Sequence, residues 1–112
     1  MNYLQPVDLS NLMDMTDNDE NLLQELIDEF YSTSEDILKL LSANKKHEGE
    51  DREWERSAHA LKGMSYNLGA HALGDLAKEA QEASAKSAHE KADIYERLVK
   101  EHLSVVAFLK AR

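Results

Sequence analysis

The chain has 112 residues, a formal net charge of −9 and no cysteine. Its length fits one compact domain, expected over residues 1–112, and its acidic surface disfavours nucleic acid and anionic membranes as partners. The absence of cysteine excludes disulfides, thiolate metal sites and a cysteine nucleophile.

The first third of the sequence predicts a short helix followed by a long one. After Pro6, three apolar residues at helical spacing indicate one or two helical turns: Leu9, Leu12 and Met13. Asp17 or Asn18 is expected to cap the next helix, which ends near Ala43. The apolar stripe of that helix recurs at three- and four-residue steps: Leu23, Leu26, Ile27, Phe30, Ile37, Leu38 and Leu41.

Two further amphipathic segments follow a polar connection that contains Gly49. The third segment opens on acidic residues, and its expected buried face comprises Trp54, Ala58, Leu61, Ser65 and Leu68. Gly69 marks its end, because glycine is the usual residue just past a helix C-terminus. The inward face expected for the fourth segment comprises Leu73, Leu76, Ala77, Ala80 and Ala83.

The last segment completes a four-helix pattern. Ser87 can cap this helix, and His102 on its apolar side is expected to be a hydrogen-bonded core histidine. The other apolar positions are Ile94 or Tyr95, Leu98, Val105, Phe108 and Leu109. Four amphipathic helices on short connections predict an all-α, antiparallel up-down four-helix bundle with a short N-terminal helix.

The spacing of the motif residues excludes several kinds of metal and nucleotide site. His47-Glu48 and His89-Glu90 begin a zinc-protease pattern, but no histidine follows at the required position. No histidine has a glutamate three residues before it, which excludes the di-iron bundle motif. The sequence also lacks a glycine-rich phosphate loop, so it predicts no ATP site. Because none of these motifs is complete, we expect no metal site and no cofactor in this chain.

One group of residues on the third helix does suggest chemistry. His59 follows the core residue Ala58 and therefore points away from the core. Lys62, Gly63 and Tyr66 continue along the same face at helical spacing. A glycine inside a helix costs about 1 kcal/mol relative to alanine, so Gly63 suggests a need for open space. An exposed imidazole with a nearby cation and a clear approach fits a nucleophile that accepts phosphoryl groups.

This segment resembles a known family signature. The sequence AHALKG at 58–63, followed by NLGA at 67–70 and by Leu73 and Leu76, is similar to the histidine-containing phosphotransfer (HPt) domain of two-component phosphorelays. The resemblance implies that His59 accepts the phosphoryl group, Lys62 offsets its charge and Gly63 gives access to a receiver domain. Gln81 would hydrogen-bond the other imidazole nitrogen, although the neighbouring Ala80 is smaller than the family pattern usually has.

The resemblance also implies partners. Receiver domains of response regulators or of a hybrid sensor kinase would dock near His59 and bring their own Mg²⁺. Glu55, Met64 and Tyr66 are the candidate docking residues, and for Met64 and Tyr66 a place at the edge of the core is equally open. The alternative is a helical adaptor without phosphate chemistry. A monomer is expected because the helices can bury their stripes within one chain, and the lack of a signal or membrane segment predicts a cytoplasmic location.

Overall fold

The computed structural model describes residues 5–112; residues 1–4, which belong to the domain expected over residues 1–112, lie outside that range. The described chain is all-helical and contains five helices: α1 (Ser10–Met15), α2 (Glu20–Asn44), α3 (Arg52–Leu68), α4 (His71–Glu82) and α5 (Ala88–Lys110). The predicted fold class and the short first helix are therefore confirmed. In the part of the chain described, no helix combines the length and the apolar character needed to cross a bilayer.

The four long helices form a closed bundle. Helix α2 packs on α3, α3 on α4 and α4 on α5, and α5 returns to contact α2. Because short connections join helices that pack side by side, consecutive helices run in opposite directions. The tightest connection is the two-residue turn between α3 and α4, which places the functional part of α3 directly beside α4.

The buried core consists of the stripes expected from the sequence. All five residues predicted for the inner face of α3 are buried, and Trp54 is the largest side chain among them. Three expected core residues are only half-buried at the edges of the bundle: Leu26, Leu76 and Phe108. Trp54 therefore provides a central apolar anchor for the helix that carries His59.

The N-cap expected for α2 was wrong by one or two residues. Asp19 caps the helix, and its carboxylate accepts hydrogen bonds from the backbone N–H groups of Asn21 (3.0 Å) and Leu22 (3.1 Å). Asp17 and Asn18 instead adopt left-handed backbone conformations, with φ of 52° and 58°. They form the turn between α1 and α2, a role that short polar side chains tolerate well.

The segment before α1 packs against the turn between α3 and α4. Val7 is buried, and the N–H of Asp8 donates a 2.9 Å hydrogen bond to the carbonyl of Gly69. Gly69 ends α3 in the left-handed region with φ of 95°, as predicted for a glycine after a helix. A Cβ at this position would collide with the backbone of Asp8, so only glycine fits.

A fully buried lysine fixes the connection that leads into α3. The Nζ of Lys91 on α5 donates to the carbonyls of His47 (3.0 Å) and Gly49 (2.8 Å) and lies 5.9 Å from the centre of the Trp54 ring. Asp51 caps α3 through the N–H of Trp54 at 3.1 Å. Burial opposes ionisation of Asp51, but this bond and the contact with His47 hold its pKa below the usual range. Hydrogen bonds from Lys91 and to Asp51 therefore fix the position where α3 begins.

Candidate functional site

His59 lies on the outer face of α3, as the sequence predicts. Its side chain is exposed, whereas the preceding residue, Ala58, is completely buried. Adjacent residues of a helix differ by about 100° in direction, so the packing of Ala58 turns His59 away from the core. The bundle thus presents an imidazole to solvent on a helix whose opposite face is packed into the core.

A cleft between α3 and α4 lies beside His59. It has a volume of about 420 Å³ and is lined by Arg52, Glu55, Arg56, His59 and Gln81. The structure therefore brings together three residues that the sequence singled out, His59, Glu55 and Gln81. Within residues 5–112, no hydrogen bond joins Gln81 to His59, so the tautomer-fixing role of Gln81 stays a prediction.

The position of Gln81 follows from a contact between the two helices. The indole Nε1–H of Trp54 donates a 2.6 Å hydrogen bond to the carbonyl of Ala80. Ala80 is buried, and its small side chain lets α4 approach α3. The bond sets the register of the two helices, so that Gln81, one residue after Ala80, reaches the cleft that His59 occupies.

Open space lies beside the imidazole on its C-terminal side. Gly63 is exposed, and no atom outside its own helical segment lies within 4 Å of the position of a Cβ. Internal packing therefore gives no reason for a glycine there. Lys62 is half-buried and forms no ion pair with the residues that the structure describes. Its ammonium group remains available to an incoming anion.

Tyr66, further along α3, is held by α4. Its hydroxyl donates a 2.6 Å hydrogen bond to Asp75, and this bond raises the pKa of Tyr66 to about 12. The ring lies against the backbone at Gly74, where a Cβ would collide with it. The half-buried ring therefore has a structural contact, and it borders the same side of the bundle as the cleft.

Met64 lies on a different side of α3 from the cleft. It lines a groove of about 230 Å³ between α2 and α3, together with Leu26, Phe30 and Asn67. The candidate docking residues are thus divided: Glu55 lies in the cleft, Tyr66 leans on α4 and Met64 borders the second groove. Their contact with a receiver domain stays a prediction.

The other histidines have different surroundings. His102 is buried, and its Nε2 lies 2.8 Å from the hydroxyl of Ser34, which confirms the expected core histidine. His47 contacts Asp51 at 3.0 Å, and His71 and His89 are exposed near the starts of their helices. Among residues 5–112, no group of three or more histidine or acidic side chains is placed to hold a metal ion.

Sequence reasoning missed two parts of the site. Arg52 and Arg56 line the cleft, although neither was singled out. Arg56 stands three residues before His59, a spacing that places both on one face of a helix and could have identified it. Asp75, the partner of Tyr66, carried no such signal, because the contact crosses between two helices.

Comparison with known protein families assigns this chain to a family. A family model for the Hpt domain matches residues 22–107, which is most of the chain. The chain belongs to the Hpt domain family, whose members carry phosphoryl groups in two-component relays and interact with receiver domains. Comparisons with curated proteins and with solved structures found no significant match.

Proposed function

We propose that His59 is the residue that carries the phosphoryl group. It would accept the group from a phospho-aspartate on one receiver domain and pass it to an aspartate on another. The observation that carries this proposal is the exposed imidazole of His59 beside the open space at Gly63, on a helix anchored by the core.

The transfer exchanges one bond to phosphorus for another. A neutral imidazole nitrogen attacks the phosphorus in line, a P–N bond forms, and the acyl-phosphate P–O bond breaks to release the aspartate carboxylate. In the return step, the carboxylate of the second receiver attacks and the imidazole leaves. Gln81 would accept a hydrogen bond from the other imidazole N–H, which keeps the attacking nitrogen unprotonated.

The chain supplies positioning, and the receiver supplies the remaining charge compensation. Lys62, one turn after His59, would approach the phosphoryl oxygens as the group arrives. Mg²⁺ would come with the acidic pocket of the receiver, so this chain would need no cofactor of its own. Glu55 and Tyr66 would lie under the docked receiver, and Met64, on a different side of α3, would lie at the edge of the docking surface. We further propose a monomer, because the closed bundle buries its main apolar stripes within one chain. The cytoplasmic location expected from the sequence remains part of the proposal.

The test is transfer from a panel of phosphorylated receiver domains. Loss of phosphate from at least one receiver should match its gain by this protein in time and amount. His59→Gln should abolish the gain, whereas His89→Gln, which also removes an exposed histidine, should leave it unchanged. Receivers that bind the folded protein but never transfer phosphate would instead support a non-catalytic adaptor.

A further inference from the structure

The cleft beside His59 contains two arginines that lack acidic partners. The chain has four arginines. Arg97 and Arg112 each form an ion pair with a glutamate at 2.9 Å. Arg52 and Arg56 form no ion pair and no side-chain hydrogen bond with residues 5–112. Neither arginine is therefore paired within the described part of a protein that has 22 acidic residues.

This lack of pairing does not come from a shortage of nearby carboxylates. Glu55 lies three residues after Arg52, and Glu53 lies three residues before Arg56. Both spacings allow an ion pair along a helix. Both arginines instead line the same cleft as His59. Their charge is therefore available to a ligand in the cleft.

The helical spacing places Arg56 opposite Lys62 with respect to His59. Each lies three residues from His59, about 4.5 Å along the helix axis and about 60° around it, in opposite directions. A phosphoryl group on the imidazole would therefore have one cation on each side. Arg52 is two turns from His59, about 10 Å along the axis, and lies nearer the start of the helix.

A guanidinium group suits this position chemically. Its planar array of N–H donors can contact two phosphoryl oxygens at once, whereas an ammonium group acts as a compact point charge. A phosphorylated imidazole adds negative charge to a chain that already carries a net charge of −9. A second cation would reduce that repulsion and hold the phosphoryl oxygens in one orientation for in-line transfer.

We propose that Arg56 binds the phosphoryl oxygens of phosphorylated His59, so that the group is held between Arg56 and Lys62. This inference rests on the proposed function only in that the relay would be the source of the phosphate on His59. The contact itself can be formed without a receiver domain, because phosphoramidate transfers phosphate directly to exposed imidazoles. Its test can therefore be separated from the test of the relay.

The experiment uses the protein phosphorylated by phosphoramidate in the absence of receivers. The ³¹P resonance of phosphorylated His59 is followed as a function of pH to obtain the pKa of the phosphoryl group. A cation in contact with the group favours its more charged form, so Arg56→Gln should raise this pKa by about 0.5 unit or more. Arg56→Lys should give a smaller increase. Arg52→Gln removes the same charge about 10 Å from His59 along the helix axis and should raise the pKa less than Arg56→Gln does.

A second measurement does not require phosphorylation. Addition of inorganic phosphate to the unmodified protein should give a saturable change in the ring resonances of His59, and Arg56→Gln should weaken this binding several-fold. Equal phosphoryl pKa values and equal phosphate binding in Arg56→Gln and the wild type would overturn the proposal. If that variant only slowed transfer from receivers, Arg56 would contact the receiver instead. Normal phosphate binding without any receiver transfer would refute the relay and retain the anion contact.

Discussion

Gly63 lies one helical turn after His59 on the outer face of α3, and no atom outside its own helical segment is within 4 Å of its potential Cβ. Gly74 on α4 is also inside a helix, but there a Cβ would meet the ring of Tyr66. The two glycines therefore have different reasons to lack a side chain. At Gly74 the reason is internal packing. At Gly63 no contact within the folded chain requires a glycine.

This contrast predicts opposite effects on stability. Gly63→Ala should raise the free energy of unfolding by about 0.5–1 kcal/mol, because alanine favours the helix and meets no obstacle. Gly74→Ala should lower it, because Tyr66 must move. Urea denaturation of the two variants measures both effects. A destabilised Gly63→Ala protein would show that Gly63 is required for internal packing.

The same glycine predicts an effect on receiver docking. Gly63→Leu should fold normally, yet it should block the approach of a receiver to His59 and reduce transfer at least tenfold. Chemical phosphorylation by phosphoramidate should be much less affected, because the small donor needs little space. If Gly63→Leu accepted phosphate from receivers at the wild-type rate, Gly63 would not be what gives a receiver access to His59.

Most of the fold could be predicted because it depends on local patterns. The apolar stripes, Gly69 and Ser87 place the helices within one or two residues, since each signal acts over a single helical turn. The cap of α2 was misassigned because three acidic or amide residues in a row, 17–19, are all suitable caps. The backbone of the preceding turn selects the last of them.

The site was predictable only where its residues lie on one helix. His59, Lys62 and Gly63 share a face of α3 by their spacing alone. The burial of Lys91 could not be predicted, because it depends on two carbonyls more than 40 residues away. A lysine in an amphipathic helix normally indicates a solvent-exposed position.

Buried Lys91 leads to a second prediction about stability. Lys91→Met should lower the free energy of unfolding by about 1–3 kcal/mol, because the carbonyls of His47 and Gly49 lose their donor. Lys100→Met, at an exposed position of the same helix, should change it by less than about 0.5 kcal/mol. Chemical denaturation compares the two variants. Equal stabilities would show that the two hydrogen bonds contribute little.

His102 predicts how stability depends on pH. Burial lowers the pKa of His102 below its ordinary value, and the nearby Glu35 only partly opposes this shift. The unfolded chain therefore takes up a proton at higher pH than the folded one. The contribution of the neutral imidazole to the free energy of unfolding is fully present above about pH 6.5. It is lost as the pH falls toward and through the lower pKa of the folded protein.

The matched variant is His102→Gln, which can still contact Ser34 but does not titrate. Carboxylates such as Asp51, whose pKa is lowered, titrate in a more acidic range. Between about pH 5 and 7, the wild type should therefore lose more stability on acidification than His102→Gln. Thermal unfolding across this range measures the difference, and parallel curves for the two proteins would exclude His102 as the source.

The most direct test of whether His59 carries the phosphoryl group is to identify the phosphorylated residue and to measure the stability of its bond to phosphate. The protein is labelled from a phosphorylated receiver, the label is tested in acid and in alkali, and the modified residue is identified in the wild type and in His59→Gln. A phosphohistidine relay predicts a label that is lost in acid, survives alkali, maps to His59 and is absent from the folded variant. A label of the same amount in His59→Gln, or one that maps to another residue, would contradict the assignment of His59 as the phosphoryl carrier.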